Sequence, residues 1–343
     1  MRLAGGVLVA GLGLAVSGCD RPSESSSGVP AGPRVPPAAS VAAPAPCVAP
    51  AVSAPVPAER AARARAIETV FLIVMENRDF SAIKGNRDAP FINSLLAEGA
   101  HAENYHNVPK GTLHPSEPNY IWLEAGDTLG FVSDAPPGPK NCARGRDHLT
   151  RQLDAAGIDW RSYQEDMKPG ACPLTNHGKY APKHDPMVFF DDVSGKDCRD
   201  EQAANCLAHI FPYQDFARAL EEGTIGRYNL LIPNLCNIMH DDCGPGPVQQ
   251  GDDWLRREIP RIRASRAYRE GGAIFITWDE GFTGNQPIGM IVLSPFAKVG
   301  YANRTPYSHS STLRTLQTIF GLSPPLGDAA NAEALGDLFT RFP

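Results

Sequence analysis

Four short apolar runs constrain the fold of this chain more than any other feature. They are Thr69–Val74, Asn229–Ile232, Ala273–Trp278 and Met290–Leu293. Each is too short for a core helix and apolar on both alternating faces, which predicts strands buried on both sides. Helical spacing marks Ala89–Gly99, His148–Ala156 and Ser311–Phe320, the last ending at Gly321. The alternation from Glu68 onward predicts an α/β domain, with a loop-rich stretch between Pro136 and Asp200 and no internal repeat. Polar groups follow three of the runs at once: Glu76 and Asn77, then Asn234, His240 and Asp241, then Asp279 and Glu280. Ligands of open α/β sheets bind beyond the strand carboxyl ends, so this convergence predicts an enzyme site.

Composition separates that domain from what precedes it. Ten of the 32 prolines lie between Asp20 and Glu59, in a stretch of Ala, Pro, Ser and Val that cannot form a core. Residues 1–65 are therefore set apart, and 66–343 are expected to form one catalytic domain. The whole chain is formally −6, and the part beyond residue 65 carries 26 basic against 35 acidic groups. An acidic body argues against nucleic-acid binding, which depends on neutralising phosphates. Outside the first residues no apolar run approaches the ~18 residues of a spanning helix.

Residues 1–18 read as an export signal: Arg2, then the apolar stretch Leu3–Val16, then small residues before Cys19. Val16-Ser17-Gly18-Cys19 resembles a bacterial lipobox, which implies cleavage before Cys19 and lipidation of its thiol; a plain secretory signal is the alternative. Residues 19–65 then form a Pro/Ala tether, and the protein is expected to be exported and lipid-anchored, facing periplasm or cell surface. Cys47 lies in the tether without an assigned role. Cys142, Cys172, Cys198, Cys206, Cys236 and Cys243 form an even set, which in an exported protein favours disulfides over a metal cluster. Short separations suggest Cys198–Cys206 and Cys236–Cys243, leaving Cys142–Cys172; no C-x-x-C motif occurs.

Three segments carry chemistry. Glu76 and Asn77 offer two hard oxygen ligands at a strand end, although a capped turn with a surface Glu has the same pattern. Asp279 and Glu280 are a carboxylate pair that would repel unless a cation or proton lay between them; a solvated acidic turn is the alternative. His114-Pro115-Ser116-Glu117-Pro118-Asn119-Tyr120 places Ser116 before a helix-like stretch, where free N–H groups favour an anion. A serine hydroxyl becomes a useful nucleophile when a metal or base activates it, and a cation on the two acidic segments would serve; Ser116 as a simple helix cap is the bland reading. His240, beside Asp241 and Asp242, and His309, near the start of the last helix, are candidate ligands or acids. His101, His106, His148, His177 and His209 are read as structural. No Gly-x-Ser-x-Gly elbow supports acyl chemistry.

The chain resembles the phosphoesterase family of bacterial acid phosphatases and phospholipases C, within the alkaline-phosphatase-like superfamily. Matching segments run in order: Phe71–Arg78, Asn104–His106, His114–Tyr120, Lys183–Pro186, Pro233–Asp241, Gly251–Leu255, Ile276–Glu280 and His309–Thr315. The resemblance implies a three-layer sandwich with a central, mostly parallel sheet flanked by helices. It implies a divalent metal held by Glu76, Asn77, Asp279 and Glu280, with Ser116 as nucleophile also touching the metal. Asn119 would hold a phosphoryl oxygen, and His114, His184, His240 and His309 would bind phosphate or move protons. Ser308 stands where many relatives have Asp, and a third acidic position after Asp279-Glu280 is not evident, so one metal per site is expected. Its identity stays open among calcium, zinc, magnesium and manganese. The further C-terminal domains of larger phospholipases C are lacking, which points to the compact form.

The expected function is a metal-dependent phosphomonoesterase acting on a small phosphate ester or a phospholipid through a phosphoserine at Ser116. A phospholipase C cleaving head-group phosphodiesters is the enzymic alternative. A non-catalytic surface binding protein is disfavoured by the full set of Glu76, Asn77, Ser116, Asp279 and Glu280.

Overall fold

The computed structural model describes residues 67–109 and 113–343. The export signal, Cys19, Cys47 and the tether lie outside the described residues. The three long apolar runs become neighbouring strands, β1 (Thr69–Met75), β6 (Tyr228–Ile232) and β7 (Gly272–Trp278), every residue of which is buried. The fourth becomes β8 (Met290–Leu293), buried throughout and antiparallel to β7.

The sheet extends beyond these four. Strands β2 (Ala100–Ala102), β4 (Trp160–Gln164), β5 (Ile210–Pro212) and β9 (Tyr301–Asn303) complete it in the order β5-β4-β6-β1-β7-β8-β2-β9. Only β8 opposes its neighbours; the pairs from β5 to β7 and the β2–β9 pair are parallel. A separate two-strand ladder joins β3 (Tyr105–His106) to β10 (Tyr307–Ser308). Helices flank the sheet as expected of a three-layer sandwich. Helix α1 (Pro90–Glu98) packs on the long helix α5 (Pro247–Ala264), while α2 (Ser116–Ala125) packs on α6 (His309–Phe320). Helix α3 (Leu149–Ala155) joins the second group and α4 (Gln214–Glu222) packs against β5.

Several elements had no sequence expectation, β4 and α5 among them. Strand β4 is Trp-Arg-Ser-Tyr-Gln, too polar for an apolar run, yet it lies between β5 and β6 with Ser162 and Gln164 fully buried. Helix α5 has seven charged residues among its 18, and its apolar stripe of Trp254, Leu255, Ile259 and Ile262 is narrow. The segment Gly251–Leu255 is explained by packing. A Cβ on Gly251 would lie 2.4 Å from Met239 Cε, so α5 approaches the floor of the site only without a side chain there. Buried Asp252 accepts from the backbone N–H groups of Phe91 (3.2 Å) and Ile92 (2.7 Å), two orphan donors at the start of α1, and from Arg256 at 2.7 Å.

The disulfides correct two of the three expected pairings. The bridges are Cys142–Cys198, Cys172–Cys206 and Cys236–Cys243; only the last was expected. Short sequence separation misled because backbone pairing across long separations sets the partners. Ala143 bridges Phe190 and draws Cys142 toward the Cys198 segment. The Cys172 N–H donates to Glu201 O at 2.8 Å, bringing it to the turn before Cys206. Three disulfides fit a chain that folds outside a reducing cytosol. Among the described residues no helix is long and apolar enough to cross a membrane.

Two outcomes follow for stability. Asp252→Ala strips the acceptor from two buried N–H groups and should cost about 2–3 kcal/mol in urea unfolding. A loss under about 0.5 kcal/mol would mean that α1 is not held by Asp252. Replacing Cys142 and Cys198 together by Ser should cost about 2–5 kcal/mol, and peptide mapping without reductant should recover that pair rather than Cys198–Cys206.

Candidate active site

The register of β1 against β7 builds the centre of the site. Met75 pairs with Trp278 in parallel strands, so the next residues, Glu76 and Asp279, leave the sheet side by side at one edge. The Asp279 N–H donates to Met75 O and the Asn77 N–H donates to Asp279 Oδ1 (2.9 and 3.0 Å), which lock the two exits together. Asn77 takes a left-handed conformation (φ 47°) that a short carboxamide side chain tolerates. Glu76 and Asp279 are fully buried and Glu280 nearly so.

Ser116 opens α2 and reaches this edge, its hydroxyl donating to Glu76 Oε2 at 2.9 Å. Tyr120, one turn on, donates to Glu76 Oε1 at 2.7 Å. Asn119 on the same turn donates to Glu280 Oε2 at 2.9 Å, while Asn107 donates to Asn119 Oδ1 at 3.0 Å. His114 Nδ1 lies 2.7 Å from Glu280 Oε2, and its half-exposed ring faces outward. His184 Nε2 stands 3.3 Å from Glu76 Oε1 without the alignment of a hydrogen bond. Glu76, Asn77, Ser116, Asn119, His114, His184, Asp279 and Glu280 thus converge.

The two other expected histidines sit differently. His309 uses both nitrogens within the protein: one lies 2.7 Å from Asp279 O and the other 2.9 Å from the Tyr105 hydroxyl, which also meets Thr312. It holds the backbone of a site residue. His240 lies further out, with Nδ1 2.9 Å from Asp241 Oδ1 and Nε2 3.4 Å from Lys183 Nζ. Its ring centroid is 6.0 Å from that of His184.

Burial raises the carboxyl groups at the site. It pushes Glu76 well above the ordinary range, reinforced by the charge of Asp279. Glu280 rises to about 9 through burial and then Asp279, and Asp279 rises to about 6 through burial, opposed by the N–H donors of Asn77 and Glu280. Burial, together with nearby Lys183 and His240, holds His184 well below its usual value, so its imidazole is neutral.

These residues fit a divalent cation. Asn77 Oδ1 and Asp279 Oδ2 are buried with no hydrogen-bond partner, beside carboxylates that repel one another. The donors are hard oxygens: two or three carboxylates, a carboxamide and a hydroxyl. Among the described residues no three His, Cys, Asp or Glu side chains gather into a metal cluster by themselves. A cation held there would therefore also need the carboxamide of Asn77 or the hydroxyl of Ser116.

Tyr120, Lys183 and Asp134 belong to the site without having been singled out. Tyr120 and Lys183 sit inside matched motifs, so their signal was present in the sequence. Asp134 lies in an ordinary loop and is revealed only by Lys183 Nζ at 2.9 Å and the Glu117 N–H at 3.0 Å.

The raised carboxyls predict a pH dependence. A carboxyl whose folded pKa lies above its unfolded value lends stability that is complete below about pH 4 and lost as pH rises through the folded value. Asp279 at about 6 and Glu280 at about 9 set that window. Chelated protein should melt lower at pH 8 than at pH 5, and added divalent ion should raise the melting temperature chiefly at pH 8. Calorimetry with and without chelator checks this; a chelated protein more stable at pH 8 contradicts it.

The chain is similar to known proteins in sequence and in fold. The model of the Phosphoesterase family matches residues 85–323. A phosphatidylinositol-3-phosphatase of Mycobacterium tuberculosis is 34% identical over 272 residues, 79% of this chain and 82% of that protein. A probable acid phosphatase of Kluyveromyces lactis is 26% identical over 76% of this chain and 60% of its own length. Murine ectonucleotide pyrophosphatase/phosphodiesterase 5 shares the fold, with a TM-score of 0.53 at 11% identity over 79% of this chain and all of that one. The chain belongs to the phosphoesterase family, the enzymes that hydrolyse phosphoric esters.

Proposed function

We propose that this protein is a metal-dependent phosphomonoesterase with Ser116 as its nucleophile. The observation that carries the reading is the hydroxyl of Ser116 at the start of α2. It is held on Glu76 beside the unpartnered oxygens of Asn77 and Asp279. Glu76, Asn77, Asp279 and Glu280, with Ser116 itself, would hold one divalent cation. When bound, such a cation lowers the pKa of a hydroxyl and offsets charge on phosphoryl oxygens.

The chain's own residues supply the rest. The Ser116 oxygen forms a bond to phosphorus as the ester oxygen leaves, giving a phosphoserine and an alcohol. Water then forms a bond to phosphorus as the bond between phosphorus and the Ser116 oxygen breaks, and a proton of that water returns to Ser116 as inorganic phosphate departs. Asn119, fixed by Asn107, donates to Leu113 O and Glu280, and would hold a phosphoryl oxygen by exchanging its Glu280 contact for one. His114, exposed and paired with Glu280, is placed to give the leaving oxygen its proton. His184 is neutral and in reach of the reacting group, while His309 acts through the backbone of Asp279.

The relatives named as phosphatases favour monoesters, and one is named for a phosphorylated lipid. A lipid-bearing Cys19 on the 19–65 tether would hold the domain beside such a substrate. Cleavage of a head-group diester, as by a phospholipase C, is the alternative. Ser116→Ala should lower hydrolysis of p-nitrophenyl phosphate by at least about 10³-fold. Acid-quenched mass spectrometry of the native enzyme should find phosphate on the Ser116 peptide. Chelation should abolish turnover and one divalent ion restore it. Full activity of Ser116→Ala would end the covalent reading.

A further inference from the structure

The matched turn Lys183-His184 brings an ammonium group into a site otherwise crowded with carboxylates. Lys183 belongs to the helical turn Pro182–His184, which packs on α2. Its side chain is only 17% exposed. Its partner Asp134 also accepts from the Glu117 N–H beside Ser116, and its neighbour His184 stands 3.3 Å from Glu76, so Lys183 faces the same edge as Ser116. Arg78, another cation near Glu76, is turned away: its guanidinium donates to Asn77 O and Met239 O at 2.7 and 2.9 Å.

Lys183 is held in place from the outside. Its Nζ donates to Asp134 Oδ2 at 2.9 Å and approaches His240 Nε2 at 3.4 Å. Asp241 fixes the other nitrogen of His240, and Lys179 fixes Asp241 at 2.8 Å. Asp134 thus takes one ammonium proton, and the other two remain for His240 or a ligand. A cleft of about 560 Å³, lined by Asp134, Pro136, Asn176, Lys183, Leu235 and His240, opens at this point.

We propose that Lys183 is the specificity residue of the site, contacting the second negative charge that a phosphomonoester carries and a phosphodiester lacks. The inference rests on the Ser116 reading above and adds the feature that selects the substrate class. A dianionic monoester and a monoanionic diester differ by one charge. A lone cation in a poorly hydrated position discriminates between them far better than it would in water. Asp134 and His240 are positioning residues that aim the ammonium.

The test compares Lys183→Met and Lys183→Arg with the native enzyme, all loaded with the activating divalent ion. For p-nitrophenyl phosphate and bis(p-nitrophenyl) phosphate, the ratio of the two kcat/KM values is the readout. Lys183→Met should shift that ratio away from the monoester by about 10–100-fold, and Lys183→Arg by much less. In a Ser116→Ala background, calorimetry should show inorganic phosphate binding about 10–100-fold more weakly once Lys183 is Met. Equal loss on both esters, or unchanged phosphate binding, overturns the role given to Lys183 and leaves the monoesterase reading intact. A native enzyme active on the diester and silent on the monoester overturns both.

Discussion

Repulsion among buried carboxylates is the constraint on which the rest of this structure depends. The parallel register of β1 and β7 delivers Glu76 and Asp279 to one point, and Glu280 follows immediately. In a medium that screens charge poorly, such a group is stable only with protons, donors or a cation among its oxygens. The surroundings supply the donors in an ordered way. Ser116, Asn119 and Tyr120, on successive positions of one helical turn, each donate to Glu76 or Glu280, and the Asn77 N–H donates to Asp279. Helix α2 is therefore fixed to the sheet edge by polar contacts as much as by packing on α6. The same contacts hold the Ser116 hydroxyl at that edge.

Support for the edge comes from residues that never touch it. His309 anchors the Asp279 carbonyl, and Tyr105 and Thr312 fix its ring. Gly251 lets α5 lie close under Met239, and Asp252 ties α5 to α1. Motif residues in this fold thus divide between those that meet the reacting group and those that keep the sheet edge from spreading. Geometry separates the two classes where sequence spacing cannot.

That division explains what could be read beforehand. Strands β1, β6, β7 and β8 were legible because burial on both faces demands continuous apolar runs. Glu76, Asn77, Asp279 and Glu280 stood out because two polar pairs directly follow apolar runs, and Ser116 because prolines bracket it before a helical stretch. Strand β4 was hidden because Gln164 donates to Ser162 and Ser162 to Asp185 inside the protein, a polar chain with no hydropathy signature. The bridges of Cys142 and Cys172 were hidden because their partners are chosen by backbone pairing across tens of residues. Lys183 escaped for a different reason: a lysine in a loop is ordinarily solvated, and only its neighbours Asp134 and His240 show that it is aimed inward.

The arrangement of two of those bridges has a consequence for when the enzyme comes into being. Cys142–Cys198 and Cys172–Cys206 both enclose the stretch that carries Lys183 and His184. Each closure removes chain entropy from that stretch, so its order is tied to oxidation. A reducing compartment disfavours both bridges, so order in the stretch around Lys183 and His184 goes with folding in an oxidising one.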